Sequence, residues 1–155
     1  MRPRRILVLA ALSVAALLVL STTALADQAF HTLKAPLSSV GGAPLRSGWI
    51  EDIHANGPII GAHEGYHVTG ASPNTAYQVV IQFYPGVTDC SGAAVPLPTA
   101  PLTTNTAGNG NADWVFPGGP PGPITQNSAI WQLQLVGPGN VVAYQTTCQL
   151  VLIGA

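Results

Sequence analysis

Read for the spacing of its apolar and polar positions, the chain is a succession of short stretches in which apolar side chains recur at every second residue. Tyr77, Val79, Ile81 and Phe83 alternate with Gln78, Val80 and Gln82. A period of two sends the first set to one face of an extended backbone, so this stretch predicts a half-buried β-strand. Trp131, Leu133 and Leu135 alternate with Gln132 and Gln134 in the same way, which assigns Trp131 and Tyr77 to the core. Farther on, Val142, Tyr144, Thr146, Cys148, Leu150 and Leu152 share one predicted face, with Gln145 and Gln149 on the other. Pro138-Gly139-Asn140 joins these last two runs as a hairpin.

The earlier segments follow the same plan. A first strand is expected around Ala29–Leu33. Gly48–His54 and Pro58–Thr69 flank Asn56-Gly57, a strong hairpin-turn signal. The prolines of Ser91–Pro101 mark an edge strand or a loop. Leu102–Asn105 and Ala112–Phe116 flank the turn-forming run Thr106–Asn111, which predicts a second hairpin. Pro117–Pro123 is a loop that can be neither helix nor central strand. About eight short strands, with glycine and proline between them and little room for a helix, predict an all-β, antiparallel, immunoglobulin-like β-sandwich.

One stretch carries a family likeness. Ala71, Pro73, Thr75, Tyr77, Val79 and Ile81, in that order, resemble the tyrosine-corner segment of fibronectin type III and related immunoglobulin-like domains, such as those of bacterial secreted proteins. The resemblance implies a sandwich in which the Tyr77 hydroxyl reaches back to a backbone group at a corner between strands.

The N-terminus reads differently from the rest. Arg2, Arg4 and Arg5 precede an apolar run from Ile6 to Leu20, and Ala24-Leu25-Ala26 supplies a small-x-small cleavage site. This is the pattern of a secretory signal peptide over residues 1–26, leaving a single sandwich domain over 27–155 and an extracellular, secreted product. Beyond the cleavage site the cations are Lys34 and Arg46, against six acids, a formal charge of −4. Nucleic acid and, after signal cleavage, membrane surfaces both demand clustered cations and are not expected partners. Two cysteines in an exported chain predict one disulfide, Cys90–Cys148.

Candidate chemistry centres on His63-Glu64-Gly65-Tyr66-His67, which has the spacing HExxH and, with Gly70, resembles the metzincin pattern. That motif works on a helix, where residues four apart share a face and both imidazoles reach one Zn²⁺ while the Glu activates water. Gly61, Gly65, Gly70 and Pro73, with the β-branched Val68 and Thr69, oppose a helix here, so the segment reads as polar strand residues. Met1 is the only methionine, and the third ligand position is Pro73. A zinc or copper site of another build would draw on His54, His63, Glu64 and His67, with Glu51 and Asp52 in the same region. Asn105–Asp113 has oxygen ligands and glycines but lacks the alternating carboxylates that calcium needs, so it reads as a turn. No nucleophile motif is present, and no cofactor is implied. Trp49, Tyr66, Tyr84 and Trp114 have mixed neighbours and are the aromatic candidates for stacking on a sugar or a partner.

These residues give three expectations. The first is a secreted, non-catalytic binding or interaction module for an extracellular protein, a glycan or a small molecule. The second is a small-ligand carrier, because the Ala/Gly/Thr/Val-rich acidic composition is similar to that of the neocarzinostatin-type apoproteins. The third is a metal-dependent hydrolase using the HEGYH segment, which requires a helix across residues 60–70.

Overall fold

The computed structural model describes residues 30–55, 60–85, 87–119 and 128–152. The segment expected to be a signal peptide, the expected turn at Asn56-Gly57 and most of the expected Pro117–Pro123 loop lie outside them, as does the side chain of Trp131. Ten strands follow in order: β1 Phe30–Pro36, β2 Ser38–Ser39, β3 Ser47–Ala55, β4 Ile60–Thr69, β5 Ala76–Phe83, β6 Val95–Thr103, β7 Gly110–Gly119, β8 Ser128–Gly137, β9 Val141–Gln145 and β10 Gln149–Leu152. They form two antiparallel sheets packed as a sandwich. One sheet has the order β1-β3-β4-β7; the other has β2-β9-β8-β5-β6, with β10 also paired to β8.

The alternation read from the sequence explains most of this arrangement. Tyr77, Val79 and Ile81 of β5 are buried, and Phe83 packs at the margin of the same core. Leu133 and Leu135 of β8 and Ile50, Tyr66 and Val68 of the other sheet complete the apolar centre. A fully buried Leu or Ile contributes about 1.5–3 kcal/mol relative to exposure. The proline-broken segment is an edge strand, β6, where Pro96, Pro98 and Pro101 remove few ladder bonds. β7 is likewise an edge and so accommodates Pro117.

Two strands exceed the eight or so expected, and each has a physical cause. At Leu37 the first strand leaves one sheet, and Ser38–Ser39 pairs with β9 in the other. The final segment is split by a bulge: Gln134 faces Gln145 and Trp131 faces Gln149, so three steps along β8 match four along its partner. Thr146 closes the gap, since its backbone N–H donates to the Leu133 carbonyl (2.9 Å) and its Oγ1 accepts from the Leu133 N–H (3.1 Å). The extra residue inverts the alternation beyond it. Thr146 stays buried, but Val151 is then inside and Leu150 outside, which corrects the single face expected for this segment.

The predicted Thr106–Asn111 hairpin is instead an arch between the sheets, because β6 pairs with β5 whereas β7 pairs with β4. Asn105 organises it: its Oδ1 accepts from the N–H groups of Ala107 (2.9 Å) and Asn109 (3.0 Å). The Tyr77 hydroxyl meets the Tyr144 hydroxyl (3.2 Å), and it is Tyr144 that reaches backbone, donating to the Pro44 carbonyl (2.8 Å). Its oxygen also accepts from the Ser72 N–H (3.2 Å). The disulfide Cys90–Cys148 is present and ties the bulge to the loop after β5.

Replacing both cysteines by alanine should lower the unfolding free energy by about 4 kcal/mol in the chain-entropy model for a sequence separation of 58, read by urea denaturation of the oxidised wild type and the variant. At the arch, Gly108 has φ +75°, and a Cβ there would stand 2.1 Å from the Ala71 carbonyl oxygen. Gly108→Ala should therefore break the bond from Ala71 N–H to Gly108 carbonyl and cost more than the ~1 kcal/mol of an ordinary Gly→Ala strain, seen as faster amide exchange at Ala71.

Candidate functional site: a buried acid–imidazole cluster

The inner face of the four-stranded sheet changes character along its length. The registers β1-β3-β4-β7 align Ala35, Ile50, Tyr66 and Ala112 in one cross-strand row and Leu33, Asp52, Glu64 and Trp114 in the next. His31, His54 and Ala62 form the row after that. Period-two geometry gives β3 no choice: Asp52 and His54 stand in phase with Ile50 and must point where Ile50 points. Glu64 is in phase with Tyr66 and Val68 on β4 for the same reason. Asp52 is 1 % exposed, Glu64 3 % and His54 6 %.

His54 uses both ring nitrogens. Nδ1 is 3.0 Å from the Gly61 carbonyl, to which it donates, and Nε2 is 2.9 Å from Oδ2 of Asp52. The second contact has ion-pair distance but poor hydrogen-bond alignment, and neither Asp52 oxygen has a well-formed hydrogen bond among the described residues. Because both nitrogens face acceptors, the imidazolium is the form that fits. Burial opposes that charge, but contact with Asp52, aided by the Gly61 carbonyl and the Glu64 charge, more than offsets it, and the His54 pKa is raised.

Glu64 is the second proton holder. Burial pushes its carboxyl up to about 7; the Tyr66 hydroxyl bond opposes the shift and the neighbouring Asp52 charge adds to it. The Tyr66 hydroxyl donates to Oε2 of Glu64, and the Thr99 hydroxyl of β6 donates in turn to Tyr66 (2.9 Å), crossing from one sheet to the other. Burial first, then the Glu64 charge, raises the Tyr66 pKa and keeps the phenol protonated.

A cavity of about 270 Å³ opens beside this cluster, between β1–β3 and β10. Its polar wall is His31, Asp52 and His54; Leu33 and Val151 line it, and the exposed Phe30 and Leu150 also bound it. Nε2 of His31 is buried there without a hydrogen-bond partner among the described residues.

The residues singled out in the sequence are thus divided between two faces. His54 and Glu64 come together inside, with Asp52 between them in the register. His63 and His67 lie on the opposite face of β4, so the helix required by the HExxH reading is a strand, and Glu64 points away from both histidines. His67 stacks on Trp49 (centroids 4.9 Å) and bonds the Asn111 side chain (2.9 Å), while Lys34 Nζ sits 4.6 Å from the Trp49 ring centre. His63 faces Asp113 at 3.8 Å with both side chains exposed. Among the described residues, no three His, Cys, Asp or Glu side chains are arranged to hold a metal ion. Of the aromatic candidates Tyr66 is fully buried and so presents no exposed ring, Trp114 packs at the core margin against Phe116, and Tyr84 is half-buried. His31 was not among the residues singled out, and Asp52 was named only as lying in the same region as the histidines. The signal for Asp52 was its phase: a carboxylate two residues from Ile50 on an alternating strand is an inward carboxylate.

Both Glu64 and His54 bind a proton more tightly when folded than when unfolded, so each stabilises the acidic form of the folded protein. The protein should therefore lose stability as pH rises. Glu64 alone contributes about 3 kcal/mol that is present below its ordinary pKa of 4.5 and lost as pH passes about 7. Urea unfolding across that window should show the decline, and Glu64→Gln should flatten it. A rise of stability with pH in the wild type would contradict this assignment. Comparison with protein-family models, curated proteins and solved structures finds no match to this chain.

Proposed function

We propose that the protein is an exported, non-catalytic binding module that holds a small molecule in the cavity between β1–β3 and β10. The observation that carries this reading is Asp52: an almost completely buried carboxylate, among the residues that line the cavity, which pairs with His54 through Oδ2 (2.9 Å) and has no hydrogen-bond partner for Oδ1 among the described residues. Buried polar groups are ordinarily satisfied, and leaving one unsatisfied costs about 1–3 kcal/mol, more when it is charged. Such a group beside an open space is what a ligand-binding site looks like before its ligand arrives. At about 270 Å³ the cavity lies just below the roughly 300–1,000 Å³ range of ligand pockets, and it combines apolar walls with a few polar residues. Catalysis is the less supported reading, because His54 already engages Gly61 and Asp52, and no hydroxyl or thiol is hydrogen-bonded to it among the described residues. Export is supported by the signal-like N-terminus and by the Cys90–Cys148 disulfide, which suits an oxidising compartment.

A protein-observed NMR screen of small fragments tests the reading. Shifts should cluster on Phe30–Leu33, Asp52–His54 and Leu150–Val151, and Leu33→Trp, which fills the cavity, should abolish them. Fragments that move only Trp49, His67 and Asn111 would transfer the binding site to the outer sheet face and overturn the cavity assignment.

A further inference from the structure

The chemistry of the cavity wall also restricts what enters. We infer that the ligand is a small organic ammonium, and that it enters in exchange for the proton His54 holds beside Asp52. This inference rests on the cavity reading above and specifies it.

Titratable groups converge here from three strands of one sheet. β1 contributes His31; β3 contributes Asp52 and His54; β4 contributes Glu64 and Tyr66. The facing sheet adds the neutral Thr99 hydroxyl from β6 and the apolar Leu150 and Val151 from β10. No lysine or arginine is among them, so the cation beside these carboxyl groups is an imidazolium. An imidazolium differs from a lysine ammonium or a guanidinium in that it loses its charge near neutral pH.

A neutral ligand gains little at such a wall, because the Asp52 charge would still need its imidazolium. An anion would be set against the Asp52 carboxylate, with Glu64 in the same cross-strand row behind it. An ammonium instead offers Asp52 a donor from the cavity side, reached by a small shift of the side chains that cover its oxygens. Once it is bound, the second positive charge on His54 is disfavoured, and the His54 proton leaves to solvent from Nε2 while Nδ1–H stays on the Gly61 carbonyl. The balance is simple: one ammonium in, one proton out, with no net change of charge at the site. Glu64 acts in the same direction, since its ionisation adds negative charge beside Asp52. Both titrations therefore make the site more receptive to a cation as pH rises. The apolar groups Phe30, Leu33, Leu150 and Val151 suit an ammonium with a hydrocarbon body over a metal ion or a free inorganic cation.

Isothermal titration of the protein with benzylamine and its neutral isostere benzyl alcohol, at about pH 8 and about pH 5, tests the inference; benzylamine remains protonated at both. Benzylamine is expected to bind at the higher pH, to bind at least about tenfold more weakly at the lower, and to release up to about one proton when heats are compared in two buffers. Asp52→Asn should erase the preference for amine over alcohol. Glu64→Gln, which leaves Asp52 in place, should retain amine binding with a shallower pH dependence; thermal unfolding checks that both variants fold. If the alcohol binds as well as the amine, the cavity reading stands and the cation inference falls. Binding of the amine with no proton release and no pH dependence overturns the exchange. Failure of both probes at both pH values removes the cavity reading itself.

Discussion

The register between β3 and β4 is the constraint from which the site follows. With Ile50 opposite Tyr66, alternation fixes Asp52 opposite Glu64, both inside the sandwich. A slip of one residue would bring Glu51 and Ile53 inward and turn Ile50 and Asp52 out, losing the aliphatic contacts at the centre. The core therefore holds the acids where they are. Ile50, Tyr66 and Val68 bury well only in a register that also buries two carboxyl groups, and the cost of those groups is met by protons rather than by lysine or arginine. His54 brings one proton to Asp52, and Glu64 retains its own.

The two ends of the sandwich consequently differ in kind. At one end the Tyr144 hydroxyl links Pro44, Ser72 and Tyr77, joining two connections and a strand through one fully buried side chain. The arch at Asn105 packs against the same region through the bond from Ala71 N–H to Gly108 carbonyl. Every polar group named there has a partner. At the other end, His31 and Asp52 have polar atoms without one, beside open space. Binding sites are drawn from regions of incomplete satisfaction and pay for it in stability. The tightly bonded end supplies the rigidity that lets the second remain unsatisfied.

Much of this was legible in the chain, and the parts that were not share a cause. Alternation around Tyr77–Phe83 and Leu133–Leu135 located strands and their buried faces, the prolines of Val95–Thr103 marked an edge, and two cysteines gave one bridge. Alternation is local, however. It cannot show that Thr146 inserts an extra residue against β8, because a bulge is defined by the partner strand. Nor can it tell a hairpin from an arch around Asn105, since both begin with the same turn. The HExxH spacing attracted attention because it is contiguous, yet a strand separates its histidines from its glutamate. The cluster that does form takes His54 and Asp52 from one strand and Glu64 from the next, and only pairing unites them.

A second histidine shows why proton storage suits this position better than a permanent ion pair. His31 lies opposite His54 on β1, so a lysine at either place would hold a fixed positive charge next to an imidazole and beside a cavity. A fixed charge on Asp52 would satisfy the carboxylate permanently and leave nothing for an incoming molecule to improve. Removing the cation altogether would leave a buried, uncompensated carboxylate, which typically costs about 3–5 kcal/mol. An imidazole avoids both extremes. In the exchange proposed above, it neutralises Asp52 and gives up its charge when an ammonium binds, releasing a proton that water accepts near neutral pH. The free energy separating the two states is small because the same carboxylate is neutralised in each, and that near-balance is the condition for reversible binding.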